Sequence, residues 1–251
     1  NYANKELEDS FLWAIVKGYD GRITALSLGP IESKKWTTNS VELKNVKFPA
    51  RLIAIEVYEP SSEDNSKPFE LNLNSIEFID SKNNTLNLTS FNDSLNWTGL
   101  PTSEGFDTTI NYNSDGLVLK LGNGSTKGIR GMFLSEYNDG IPVIVNQNFI
   151  NSSEISIGEK FIFNASGSYI PMKIEKKINY FSGTSEKFDS FLLSDLRLLK
   201  NYMELTKLQS FRPNELVVLI EDGFQSDSSE YIIENFPLST IKDKSLIEQN
   251  S

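Results

Sequence analysis

The chain has 251 residues, 38% of them hydrophobic and 23% charged, which is the composition of a globular protein with one or two cored domains. Its 34 acidic and 24 basic residues leave a net charge of −10, which disfavours an anionic membrane surface and excludes a phosphate backbone as an expected partner, so no nucleic acid is anticipated. Cysteine and histidine are absent; this removes disulfides, thiolate nucleophiles, Ser-His-Asp and Cys-His catalysis, and zinc or iron sites built on those side chains.

Asn1 to Glu8 is a polar lead-in without a basic stretch or a long apolar run, so it does not read as a signal peptide. No segment approaches the roughly 20 apolar residues that span a bilayer. The chain begins without Met and stops at Gln249-Asn250-Ser251. It reads as a piece of a longer protein, cut between two membrane helices; a processed secreted protein is the alternative.

From Phe11 to about Phe133 the pattern is strand after strand. Alternation runs through Arg22–Leu28, Val41–Leu43, Leu52–Tyr58, Phe69–Leu73 and Leu117–Leu121, the period of half-buried strands. Turn signals fall at Asp20-Gly21, Gly29-Pro30, Pro60-Ser61-Ser62, Ser114-Asp115-Gly116 and Asn123-Gly124. This spacing predicts a β-sandwich, jelly-roll-like, over residues 1–136. Sequons at Asn87 and Asn96 follow from the Asn/Ser/Thr-rich loops and carry no weight by themselves.

The pattern changes at Glu136 to Pro142, where Tyr137-Asn138-Asp139-Gly140-Ile141-Pro142 reads as a loop. Beyond it, helix and strand signals mix. Ser194 is a plausible N-cap, with Asp195 in the first turn and Leu196, Leu199 and Met203 on one face. Asp227 and Glu230 form a broadened capping box before Tyr231, Ile232 and Ile233. Residues 137–251 are therefore expected to form an α+β second domain, in a chain that is mostly β overall.

The order of signals in this second half is distinctive. Ile141–Val145 reads as an apolar strand before a short helix. Ile157-Gly158-Glu159 reads as a turn, Met172–Phe181 as a strand ending in Tyr-Phe, and Phe191–Asp195 as a strand-to-helix entry. Arg212-Pro213-Asn214-Glu215-Leu216 then leads into a further strand, and Phe236 to Asn250 is a stretch in which Lys242 and Lys244 stand among polar residues. This ordered set resembles the extracytoplasmic domain of FtsX/MacB-like ABC transporter permeases, with Glu159 where the family commonly has Asp. The resemblance covers a little under half the chain; the β-rich half matches only through its strand pattern.

The resemblance implies a non-enzymatic domain on the extracytoplasmic side of the cell membrane, with no cofactor and no catalytic residue. Membrane helices not present in the sequence would tether it. They would transmit motion from a cytoplasmic ATPase subunit to export, to lipid or lipoprotein handling, or to a cell-wall enzyme. A second permease copy, and a lipid, peptide or glycan ligand, are the other partners it implies.

Bottom-up candidates for a site are few. Trp36 and Trp97 lie beside polar loops and are the best candidate ligand contacts, because an exposed indole stacks on sugars and donates a hydrogen bond. Core packing is the commoner role of tryptophan, and Trp13 reads as core. Asp20, Asp107 and Asp115 suit calcium chemically, yet aspartate also stabilises turns without a metal; no metal site is expected. Glu56 with Glu59, or Glu63 with Asp64, are the pairs glycoside hydrolysis would need, and solvated charge is the plainer account. Gly122-Asn123-Gly124-Ser125-Thr126 lacks the Lys of a phosphate loop and reads as a hairpin turn. On the helix Asp195–Leu205, Leu198 and Tyr202 form a second apolar side, suited to a partner or to burial. The rival function is a carbohydrate-binding or adhesive module of a secreted or surface protein, motivated by the β-rich first half with Trp36 and Trp97.

Overall fold

The computed structural model describes residues 1–3, 10–59, 67–90, 97–126, 128–135, 137, 140–165, 167–179, 181, 190–207 and 234. The chain divides into a compact unit of Asn1–Asn179 with Phe188–Phe211 and a second unit of Tyr180–Lys187 with Arg212–Ser251. All that follows concerns the first. The expected features at Pro60–Ser62, Glu63 and Asp64, Asn96, Arg212–Leu216, Asp227 and Glu230, and Phe236–Asn250 lie outside the described residues.

The protein is mostly β. The first half contains β1 (Tyr2–Ala3), β2 (Phe11–Gly18), β3 (Ile23–Pro30), β4 (Ala50–Tyr58), β5 (Phe69–Leu73), β6 (Ser75–Ile79) and β7 (Thr85–Ser90). It continues with β8 (Trp97–Gly99), β9 (Thr109–Asn113), β10 (Gly116–Leu121) and β11 (Ile129–Leu134). Then come β12 (Ile141–Val145), helix α1 (Gln147–Ser153), β13 (Lys160–Ala165), β14 (Ser168–Lys177), β15 (Leu192–Ser194) and helix α2 (Leu196–Lys207).

Three larger sheets result. An outer sheet has the order β1-β5-β10-β9, a central sheet β3-β2-β4-β11-β8, and a third sheet β13-β14-β12-β15; β6 and β7 form a hairpin of their own. Pairing is antiparallel except between β12 and β14, which are parallel. The central sheet is apolar on both faces. Ala14, Val16, Ile55, Val57 and Met132 join Leu71, Leu117 and Leu119 of the outer sheet in a first core. Ile15, Ile53, Ala54 and Phe133 join Val143, Met172, Ile174 and the α2 residues Leu198, Tyr202 and Met203 in a second. This second core draws on residues from both sides of position 136.

Burial on both faces explains why Leu52–Tyr58 does not behave as a half-solvated strand: residues 53 to 57 are all buried. A bulge adds to this. In the β2–β4 ladder Ile15 pairs with Ala54 and Val16 with Leu52, leaving Ile53 as the extra residue. Ile53 and Ala54 consequently both belong to the second core.

Three sequence expectations need correction. Val41–Leu43 is not a strand: the Lys44 N–H donates to the Glu42 carbonyl, Asn45 is left-handed at φ 63°, and the chain turns there instead. Gly29-Pro30 ends β3 rather than turning it; Gly29, at φ 106°, marks an irregularity where the ladder steps from Leu12–Gly29 to Trp13–Ser27. Gly122–Thr126 is not a hairpin turn, since β10 belongs to the outer sheet and β11 to the central one. Its glycines answer to packing. A side chain at Gly122 would strike the Asp107 carboxylate, and one at Gly124 would strike the Thr102 hydroxyl.

Helix α2 begins one residue later than its sequence signals suggest. Ser194 ends β15, and Asp195 is the capping residue, its Oδ1 accepting from the Arg197 and Leu198 N–H groups at 2.8 and 3.1 Å. Helix α1 is capped by Asn146, whose side chain accepts from the Phe149 N–H at 3.0 Å, and it ends at a left-handed Glu154.

Candidate ligand cavity

Where the central sheet, the third sheet and α2 meet, a cavity of about 320 Å³ remains. Its apolar floor comes from all three: Ile53 and Phe133, Ile141 and Pro171, and Leu198 and Tyr202. The bulge in β4 supplies Ile53. Tyr202 is held edge-on to Phe133, with ring centroids 5.2 Å apart, and its hydroxyl donates to the Tyr169 carbonyl at 2.7 Å. Burial, and secondarily the Glu56 charge, raises the Tyr202 phenol pKa above its ordinary value.

The rim is cationic. Lys17 and Arg51 stand directly opposite each other in the β2–β4 ladder, and Arg197 approaches from the first turn of α2. Like charges opposed across a ladder are destabilising unless compensated. Lys17 is compensated: its Nζ donates to Asn201 Oδ1 at 3.0 Å and to Glu204 Oε2 at 3.1 Å. Arg51 is exposed and makes no hydrogen bond or ion pair among the described residues.

Two buried carboxylates stand on β4 and just beyond it, outside the cavity lining, and they do not face each other. Three residues apart on an extended chain, Glu56 and Glu59 point to opposite sides. Glu59 takes a two-pronged bond from the fully buried Arg130, with Nε to Oε2 at 2.7 Å and Nη2 to Oε1 at 2.6 Å. Arg130 also donates to the Lys67 and Gly122 carbonyls and lies 4.9 Å over the Phe69 ring. Glu56 is equally buried, at 0% exposed, yet neither of its oxygens has a hydrogen-bond partner among the described residues. Burial pushes its carboxyl up to about 8.

Of the two candidate tryptophans, Trp97 is 7% exposed in the first core and Trp36 is 49% exposed on the β3–β4 connection. Neither lines the cavity. The aspartates serve turns. Asp20 Oδ1 accepts from the Arg22 N–H, and Asp107 accepts from the Thr102 hydroxyl at 2.6 Å and the Gly124 N–H at 2.9 Å. The Asp115 N–H donates to Asn113 Oδ1. Among the described residues no three acidic groups converge as a metal site. Leu198 and Tyr202, the second apolar side of α2, face the second core. Sequence reading missed Lys17, Arg51 and Arg197, because only strand register and helix docking bring them to one rim.

No protein-family model, curated protein or solved structure matches this chain.

Proposed function

We propose that this chain is the extracytoplasmic region of an FtsX/MacB-like ABC transporter permease. In this reading a jelly-roll-like β-sandwich over 1–136 precedes an α+β permease-associated subdomain over 137–251. The observation that carries it is the element order from Ile141 to Lys207. A strand, a short helix, a Gly158 turn, a strand pair, a short strand and a helix follow one another in the order the resemblance implies. A second core that ties the central sheet to the third sheet supports it too, because a lever moved by membrane helices must move as a rigid body. The domain would carry no chemistry of its own; a cytoplasmic ATPase would supply the energy. Among the described residues no helix is long and apolar enough to cross a membrane, so the tethers would lie outside them.

The test uses the full-length gene product. Tyr19, 69% exposed, is replaced by cysteine in this cysteine-free chain, and intact cells are treated with a membrane-impermeant maleimide. Labelling without lysis, together with apolar stretches of about 20 residues flanking both ends, is expected. Labelling only after lysis, or no flanking stretches, overturns the reading. The exposed Trp36 keeps a carbohydrate-binding or adhesive module as the second reading. It predicts saturable glycan binding that Trp36→Ala abolishes; an empty glycan array with folded protein removes it.

A further inference from the structure

We propose that the cavity between the central sheet, the third sheet and α2 binds a small amphiphilic carboxylate. Its head would meet Arg51 and Arg197, and its apolar body would lie on Ile53, Phe133 and Tyr202. The inference stands independently of the permease reading.

Three observations converge on this ligand class. The volume, about 320 Å³, lies at the small end of the roughly 300–1,000 Å³ typical of ligand pockets, which suits one small molecule better than a peptide segment. The floor is apolar and immobilised: Phe133 is 6% exposed and Tyr202 3% exposed, and the Tyr202 hydroxyl is already used on the Tyr169 carbonyl. The rim carries a cation, Arg51, that has no partner among the described residues. Lys17 and Arg51 oppose each other in register, and Glu204 and Asn201 satisfy only Lys17. A guanidinium with no partner among the described residues, set against a like charge beside an apolar hollow, is placed to accept an anion whose body the hollow shelters. A carboxylate matches the planar fork of one guanidinium and brings one charge, the charge Arg51 leaves unbalanced.

The experiment is titration of the whole chain with octanoate, followed by calorimetry and by backbone amide shifts, with octanol and octylamine as controls. The expected result is saturable octanoate binding with shifts on β4, β11 and α2, at least tenfold weaker binding of both controls, and about tenfold weakening in Arg51→Ala. Arg51→Lys should recover part of that loss. Because Arg51 is exposed, Arg51→Ala should melt with the wild type, so lost binding would not reflect lost fold. Absence of saturable octanoate binding, equal binding of octanol, shifts away from the cavity, or undiminished affinity in Arg51→Ala would each overturn the proposal.

Discussion

The central sheet offers the same apolar wall to two cores, and the two cores treat buried charge in opposite ways. On the face toward the outer sheet, Arg130 and Glu59 satisfy each other, and backbone carbonyls take the remaining guanidinium protons. On the face toward the third sheet, Glu56 is buried with no hydrogen-bond partner among the described residues, and nearby a cavity opens beside Arg51, which has no partner among them either. The first core is built for stability. The second sacrifices some stability, and such local violations concentrate where a protein keeps a site.

The largest effect should come from breaking the satisfied side. Arg130→Ala leaves Glu59 charged and buried, and should lower unfolding free energy by about 3–5 kcal/mol in urea denaturation. Replacing both partners together, as Arg130→Met with Glu59→Leu, should restore most of the loss. If the single and double variants were equally unstable, packing over Phe69 rather than charge pairing would hold that face.

Glu56→Gln tests the unsatisfied side and should act in the opposite direction. The folded carboxyl, at about 8, sits above the ordinary value of 4.5, so the native state binds a proton that the unfolded chain releases. Wild-type stability therefore falls as pH rises through that window, and the contribution is lost above about pH 8. The variant should flatten the dependence and be more stable at pH 8 by roughly 1–3 kcal/mol. Thermal melts between pH 5 and 8.5 provide the check; parallel curves for the two proteins would mean that Glu56 is solvated or paired.

The smallest effect concerns the helix that closes the cavity. Asp195→Ala removes the cap of α2 and should cost about 1 kcal/mol. Amide exchange should speed up in α2, with the strands of the first core unaffected. Equal acceleration in β5 and β10 would show that the two cores unfold as one.

Much of the strand content was legible, because Arg22–Leu28, Phe69–Leu73 and Leu117–Leu121 alternate or sit among turn signals that the ladders respect. The short helix after Val145, the turn at Gly158 and the helix after Asp195 were legible for the same local reasons. Errors arose wherever a residue answered to a distant neighbour. Gly122 and Gly124 look like turn formers, yet they are small to make room for Asp107 and Thr102. Trp97, offered as a ligand contact against the commoner role of core packing, takes that commoner role in the first core. The cavity rim was invisible for a stronger reason. Lys17 and Arg51 are 34 positions apart and Arg197 is 146 beyond Arg51, so no local pattern joins them.

The doubly buried β4 has a consequence for how the chain finds its alignment. In a strand with one wet face, a one-residue slip exposes a single apolar row. In β4 the same slip would send Ile55 and Val57 into the second core's positions and push the Glu56 carboxyl into the first core, spoiling both at once. Misaligned pairings of β4 are thereby penalised twice, and insertions or deletions within it should be the least tolerated in the chain, with the bulge at Ile53 the one place where an extra residue has already been absorbed.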